Sequence, residues 1–550
     1  MIPNLLLQAT EWNPQLFREI KGRLKQRSLI LTGGLSLIAQ SIILLYFWMV
    51  LPSSETKYSR YFQGNDHYGY NQQVLDALGN PVINWPLWWS DMFQVLSWLL
   101  PFAVLISGVY MLIDDLAKEE RRGTLNFIRL SPQTSQNILV GKLLGVPIVP
   151  AIAVALAVPL HGLAAVQSGV EFGEVLSIYL LTVAACVFFY TGAVFYSFFG
   201  GAHSWLGAII VSLCYLMFFQ IYQFSSYAYY EGVRDSYGYL GLGQWFYIHI
   251  GQNLAMAVGF ALVNFAIGSF WIWQSINRRF RNPNLTLISK KHSYLVTLCF
   301  ELMMFGFVFR DNSYSYSRPT DDLGILSIFN MIWFSIMIAA LTPHRQTLLD
   351  WARYRRETQD GQNRWVKQVW NRSLVKDLIW GEKSPAMLAI AINLMIPVVL
   401  FTPWILSWAG NSYAGTAGTI YVLRAFAGLG MLTMFLLVAG ALAQLLLFMK
   451  SKRRNIFAAT IIGALIVIPP LFLGVLSSYA YGYSESLKIF WYFTAFGFVP
   501  LLTEGAALTT VCFTFLAHLG ALTMLTNRMT HLLRKAGESE FKALTAGNRA

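Results

Sequence analysis

Residues able to do chemistry are sparse in this chain. The densest group lies between residues 114 and 142, DDLAKEERRGTLNFIRLSPQTSQNILVGK. Glu119, Glu120, Arg121 and Lys142 stand there with no histidine or cysteine beside them, so the chemistry on offer is charge-directed docking. Covalent and metal chemistry lack their usual signatures. No G-x-x-x-x-G-K-[ST] occurs, and Gly141-Lys142 is followed by Leu143 without the upstream glycine, so it cannot cradle phosphates. H-E-x-x-H, G-x-S-x-G and clustered metal ligands are also missing, which argues against a hydrolase or metal enzyme. The chain therefore calls for no cofactor of its own. Cys186, Cys214, Cys299 and Cys512 fall in apolar runs, with no zinc or redox spacing.

The charged insert is held between two apolar runs, 92–113 and 143–166. A polar stretch tied to two membrane spans must sit in water, and its five Lys/Arg residues place it in the cytosol. The pattern predicts a short amphipathic helix over Asp115–Leu130. Glu119 and Glu120 suit a positive N-terminal end, Leu125, Ile128 and Leu130 form an apolar ridge, and Ser131-Pro132 stops the helix. Such a helix can receive a push from a soluble partner.

The pattern E-R-x-G-T-L-(x)5-S-P-(x)5-I-L-x-G-K resembles the coupling-helix region of ABC-2 type transporter permeases. It is carried by Glu120, Arg121, Gly123, Thr124, Leu125, Ser131, Pro132, Ile138, Leu139, Gly141 and Lys142. The resemblance implies that these residues, with Glu119, couple the membrane part to a separate ATPase. ATP and Mg would then bind in that partner, with two ATPase subunits per chain. A second insert, 343–386, keeps an S-P pair but lacks E-R-x-G-T-L, and its S-P lies directly before the next span. Lys376, Asp377, Trp380, Glu382, Ser384 and Pro385 mark a possible, diverged second coupling helix.

The elements that must position these inserts are membrane helices. Hydrophobic residues make up 56% of the chain and charged residues 12%, about half the charge of a soluble domain, with mean hydropathy +0.49. Twelve apolar runs can cross a bilayer, near 29–51, 92–113, 143–166, 175–199, 204–223, 253–275, 293–310, 325–342, 387–408, 420–449, 456–478 and 506–526. No cleavable signal peptide is visible in residues 1–28. With the N-terminus inside, 33 of the 40 Lys and Arg residues fall on the inner side and five on the outer. Both termini are thus expected in the cytosol, as in a prokaryotic inner-membrane protein. The net charge of +13 reads as this topology signal and as a partner for anionic lipid, with no nucleic acid required.

The expected fold is an all-α polytopic membrane protein, with about twelve spans in two parallel six-helix repeats. Each half repeats one rhythm: a basic segment (Asn13–Arg27, then Asn277–Lys291), two spans, an insert, three spans, a long outer segment and a last span. Residues 1–28 read as an amphipathic connecting helix capped by Asn13-Pro14, with Leu16, Phe17, Ile20 and Leu24 on one face. The first half then runs over 29–292 and the second over 293–550. Short apolar stretches such as Ile489–Leu502 suit re-entrant segments, which ABC-2 permeases carry at this place.

Four polar residues lie at membrane depth: Glu301, Arg424, His161 and His518. Scattered as they are, they favour structural pairing over a proton or substrate relay. The expected function is the permease subunit of an ATP-driven ABC transporter, with export implied by the resemblance. A secondary transporter with two parallel repeats, a membrane enzyme acting on lipid or glycan, and a scaffold that anchors an ATPase without transport stay open.

Overall fold

The structure is a computed structural model that describes residues 12–53, 56–63, 66–67, 70–76, 80–198, 203–230, 243–309, 319–360, 372–410, 417–451, 453–479, 489–503 and 507–536. The chain is an all-α polytopic membrane protein. Ten helices among the described residues are long and apolar enough to cross a membrane. The chain divides into two compact units, Met1–Gly243 with His249–Arg281, and Gln244–Ile248 with Asn282–Ala550. Five of the ten helices belong to each unit.

In unit 1, α1 (Pro14–Arg23) starts where the sequence signals it, with the Asn13 side chain accepting from the Leu16 N–H. α2 (Gln26–Met49) follows, then a small antiparallel sheet of β1 (Tyr58–Ser59), β2 (Asp66–His67) and β3 (Tyr70–Gln72) in the order β1-β3-β2. The hydropathy reading gave no hint of these strands. α3 (Trp85–Arg122) is the long element. Its 38 residues reach about 57 Å, against roughly 30 Å of hydrocarbon. It buries Leu105, Val109, Leu112 and Ile113 against Val146, Tyr190 and Ala193. Gly123 ends it at φ +70, a left-handed turn that glycine enters without steric cost. α4 (Thr124–Arg129) and α5 (Ser135–Gly145) complete the insert.

The expected span at 143–166 is broken. Pro147 and Pro159 interrupt it, leaving α6 (Ile148–Ala155) and α7 (Val158–Ser168), which together form one crossing stretch. α8 (Phe172–Phe198), α9 (Ser204–Tyr230) and α10 (Leu254–Arg281) finish the unit. α3 packs on α7, α8 and α9, and α8 packs on α10. In α9 the apolar described stretch Ser204–Gln220 is too short to count as a crossing.

Unit 2 begins eleven residues earlier than the boundary read from the sequence. Leu287 and Ile288 are buried in it, and the Thr347 hydroxyl donates to the Asn284 carbonyl. Its helices are α11 (Lys290–Val308), α12 (Pro319–Leu341), α13 (Arg345–Asp360), α14 (Arg372–Trp380), α15 (Met387–Ser407), α16 (Ala417–Phe448), α17 (Arg454–Tyr479), α18 (Phe498–Thr503) and α19 (Leu508–Ala536). α16 is central and packs on α12, α15, α17, α18 and α19. α11, the seventh expected span, is not among the ten crossing helices. The stretch 489–502 does not cross: it folds back as turns and the short α18, burying Tyr492 and Leu501 against Met431. Parts of the expected segments 1–28, 224–252, 343–386, 479–505 and 527–550 lie outside the described residues.

Candidate docking site at the basic end of unit 1

The insert does not form the separate amphipathic helix expected over Asp115–Leu130. α3 runs unbroken out of the apolar region as far as Arg122, because nothing between Ile113 and Gly123 breaks a helix. Glu119 and Glu120 therefore stand near a C-terminal end, where the helix dipole disfavours carboxylates. Glu119 is met by cations from outside the helix, although burial still holds its carboxyl pKa above the ordinary value. Its carboxylate lies 2.9 Å from Lys142 Nζ and 3.9 Å from Arg18.

Lys142 is the centre of the site. Its side chain is 1% exposed, and its ammonium also meets Asp115 at 2.8 Å and Glu19 at 3.4 Å. Arg23 bridges Asp115 at 2.6 Å and Glu19 at 3.4 Å, and Gln15 donates to Glu19 at 2.9 Å. Burial works against the charged lysine, but Asp115, Glu19 and Glu119 together raise its pKa above the ordinary value. Oxygens of Glu19, Asp115 and Glu119 lie within 4.8 Å of one another, a set able to hold a cation, and the Lys142 ammonium supplies one.

Two glycines let α1 reach α5. A Cβ on Gly141 would meet the Leu16 nitrogen at 2.7 Å, and one on Gly145 would meet the Glu19 Cβ at 2.5 Å. Small residues four apart allow helices to approach this closely. Asn13 adds a bond from its amide to the Asn137 carbonyl at 2.7 Å. α1 thus turns Asn13, Gln15, Leu16 and Glu19 inward, while Phe17, Ile20 and Leu24 stay partly exposed. The face that packs on α5 is mostly polar and takes Leu16 with it, leaving the other three apolar residues partly exposed.

The residues expected to couple divide into two groups. Glu119, Leu125, Gly141 and Lys142 are turned into the unit, as is Ile128. Glu120, Arg121, Gly123, Thr124 and Pro132 are exposed, with Ser131 half-buried. The exposed ridge is Phe127, 77% exposed, and Leu130, 85% exposed. The long α3, braced by the Lys142 cluster and followed after Gly123 by the short α4 with this ridge, makes a stiff arm.

The counterpart in unit 2 is built differently. Lys290 Nζ donates to the Leu378 carbonyl at 2.7 Å, Ser384 Oγ at 2.6 Å and the Pro385 carbonyl at 3.0 Å. Ser384 in turn donates to the Asp377 and Gly381 carbonyls. Asp377 accepts from the Trp351 indole, and Tyr294 donates to the Ile379 carbonyl while packing edge-on to Trp380. Of the six residues marked for a second coupling helix, Ser384 and Pro385 are buried, Asp377 and Glu382 are half-buried, and Lys376 and Trp380 are exposed.

The four polar residues expected at membrane depth are mostly paired. His161 is bonded to Ser97 at 2.9 Å and Tyr179 at 2.7 Å, and stacks on Phe93. His518 meets the Thr514 carbonyl at 2.9 Å and stacks on Phe493. Arg424 lies over the Tyr421 ring. Glu301 differs. It is fully buried beside Asn330, and neither carboxylate oxygen has a hydrogen bond of good geometry.

Comparison with protein-family models, curated proteins and solved structures finds no match to this chain. Sequence reasoning did not find Glu19, Arg23 and Asp115. An acid on the inward side of an otherwise basic helix, and a glycine pair spaced by four, were the available signals.

Proposed function

We propose that this chain is the membrane-spanning permease of an ATP-driven ABC transporter, most plainly an exporter, with its basic ends in the cytosol of a prokaryotic cell and a separate ATPase docked there. One observation supports the reading above the rest. α3 passes without a break from the apolar core to exposed Glu120 and Arg121, and Gly123 then turns the chain into the short α4, which exposes Phe127 and is followed by exposed Leu130. Force applied at α4 passes through the Gly123 turn and then along one helix to the membrane region. Two six-helix repeats would offer one insert to each of two ATPase subunits, the second through the diverged α14 segment. The test is co-purification. An ATPase bearing a phosphate-binding G-x-x-x-x-G-K-[ST] loop should elute with the full chain at one chain per two ATPases. Phe127→Asp with Leu130→Asp should abolish the association while membrane insertion is kept. Association unchanged in that variant sinks the reading.

A second reading, a two-repeat secondary transporter without an ATPase, is favoured by the bare carboxylate of Glu301. A fully buried carboxylate without a hydrogen bond of good geometry is costly unless neutralised by a proton or cation. Transport driven by an ion gradient in vesicles free of ATP, and lost in Glu301→Gln, would select it.

A further inference from the structure

α4, the start of α5 and the last turn of α10 bring arginines together at the basic end of unit 1. Arg129 closes α4, and its guanidinium lies over the rings of Phe198 at 5.9 Å and Phe280 at 5.4 Å. One of its Nη atoms donates to Asn126 at 3.0 Å, while its Nε is buried with no hydrogen-bond partner. Arg279 is near enough for the two guanidiniums to repel, with Glu120 acting on both. Burial pulls the Arg129 pKa below its ordinary value, with Glu120 opposing. Arg281 donates from Nε to Ser135 Oγ at 3.1 Å, and Ser135 donates to Asn277 Oδ1. Ser135 opens the eleven-residue α5, so the positive end of that helix faces the same place.

Two half-buried like charges repel where burial is costly, and the Arg129 Nε still has a hydrogen to donate. The Phe198 and Phe280 rings fix the plane of Arg129, and a fixed guanidinium fork suits two oxygens of one phosphate. Phe198 and Arg281 are the last residues of apolar helices, which sets the cluster at the depth of lipid headgroups. We propose that Arg129, Arg279 and Arg281 bind the phosphodiester of an anionic lipid headgroup.

The test uses the full chain purified in mild detergent, with native mass spectrometry in equal amounts of phosphatidylglycerol and phosphatidylcholine. Phosphatidylglycerol should be retained over phosphatidylcholine. Arg129→Gln with Arg279→Gln should lower that retention about tenfold or more, the loss of one or two charge-assisted hydrogen bonds. Arg281→Gln, on an exposed residue away from the core, should lower it less. Without lipid the double variant should melt no lower than the parent, because the repulsion is gone, and phosphatidylglycerol should raise the melting temperature of the parent alone. A variant that melts well below the parent with retention unchanged makes the arginines packing residues and overturns the site. Inorganic phosphate that stabilises the parent as strongly and displaces phosphatidylglycerol overturns the lipid as its source. Neither arm involves an ATPase, so failure here leaves the transport reading untouched.

Discussion

Two buried lysines stitch the basic ends of the two units, and they are held in opposite ways. Lys142 meets three carboxylates. Lys290 meets two carbonyls and a hydroxyl, with Asp377 as its nearest acid influence. The first is a charge cluster and the second a capping lysine. Burial pushes both lysines toward the neutral form. In unit 1 the carboxylates win and the pKa rises; in unit 2 burial wins and lowers it to about 8. The same residue type is thus a fixed cation in one unit and a titratable donor in the other. The unit 1 arm is braced by charge, and the unit 2 insert by hydrogen bonds to its backbone.

The largest effect expected is that of Lys142→Met. It leaves Glu19, Asp115 and Glu119 facing one another with only Arg23 and Arg18 nearby. Breaking a buried ion cluster from one side costs about 3–5 kcal/mol. Lys290→Met leaves two carbonyls and one hydroxyl short of a donor, a loss of about 1–3 kcal/mol. Denaturation in detergent, followed with a probe in each unit, measures both. Equal losses would erase the distinction between the two lysines.

Next in size is the glycine pair. Gly141→Val and Gly145→Leu push α1 off α5, since both positions already lack room for a Cβ. Overpacking of this kind costs about 1–3 kcal/mol. The displaced α1 also takes Glu19 and Arg23 with it, so protease cleavage between α1 and α2 should rise. Cleavage unchanged in both variants would mean that the Lys142 cluster holds α1 without the close contact.

The pH dependence separates the lysines by sign. For Lys142 the folded pKa is raised, so its contribution is full below about 10.4, the unfolded value, and is lost as pH climbs through the folded one. For Lys290 the folded pKa is lowered, so folding is penalised below about 8 and the penalty fades as pH rises toward about 10.4. Melting curves from pH 7 to 11 should show a rise over that window that vanishes in Lys290→Met, and a fall above it that vanishes in Lys142→Met. A rise that persists in Lys290→Met would assign it to another group.

Much of this architecture was legible in the residues, and the reason is solvent. Lipid demands long apolar helices, so hydropathy located every helix that became a crossing candidate. The start of α1 was legible because Asn13-Pro14 is a local cap. What failed was whatever depended on contacts far along the chain. The helix expected over Asp115–Leu130 was judged by its own charges, yet Glu119 is met by Lys142, 23 positions on. Lys142 looked like the end of a docking motif because its acids lie on α1 and α3, which no local pattern connects. In α1 the local pattern located Phe17, Ile20 and Leu24, which stay partly exposed, while the polar residues that pair with α5 gave no local signal.

The smallest effect on stability belongs to the charges on the outer side of the same arm. Glu120 and Arg121 are exposed. Exposed charges of this kind change stability by about 0.5 kcal/mol or less. Glu120→Ala with Arg121→Ala should therefore move the melting temperature little and leave the protein inserted, the attraction of exposed Glu120 for Arg129 and Arg279 being screened by solvent. If the arm docks an ATPase, the double variant should still lower the ATPase activity of the reconstituted complex, since exposed charges contribute to orienting and steering a partner. The comparison is within one helical turn: Glu119 faces inward to Lys142, and Glu120 faces out. Glu119→Lys should lower stability, because it sets a second cation against Lys142, while Glu120→Lys should lower only the coupling. If both substitutions cost stability equally, the tip is packed as firmly as the cluster and presents no free docking charge. If neither alters ATPase activity, the exposed charges are solvated and the docking face reduces to Phe127 and Leu130.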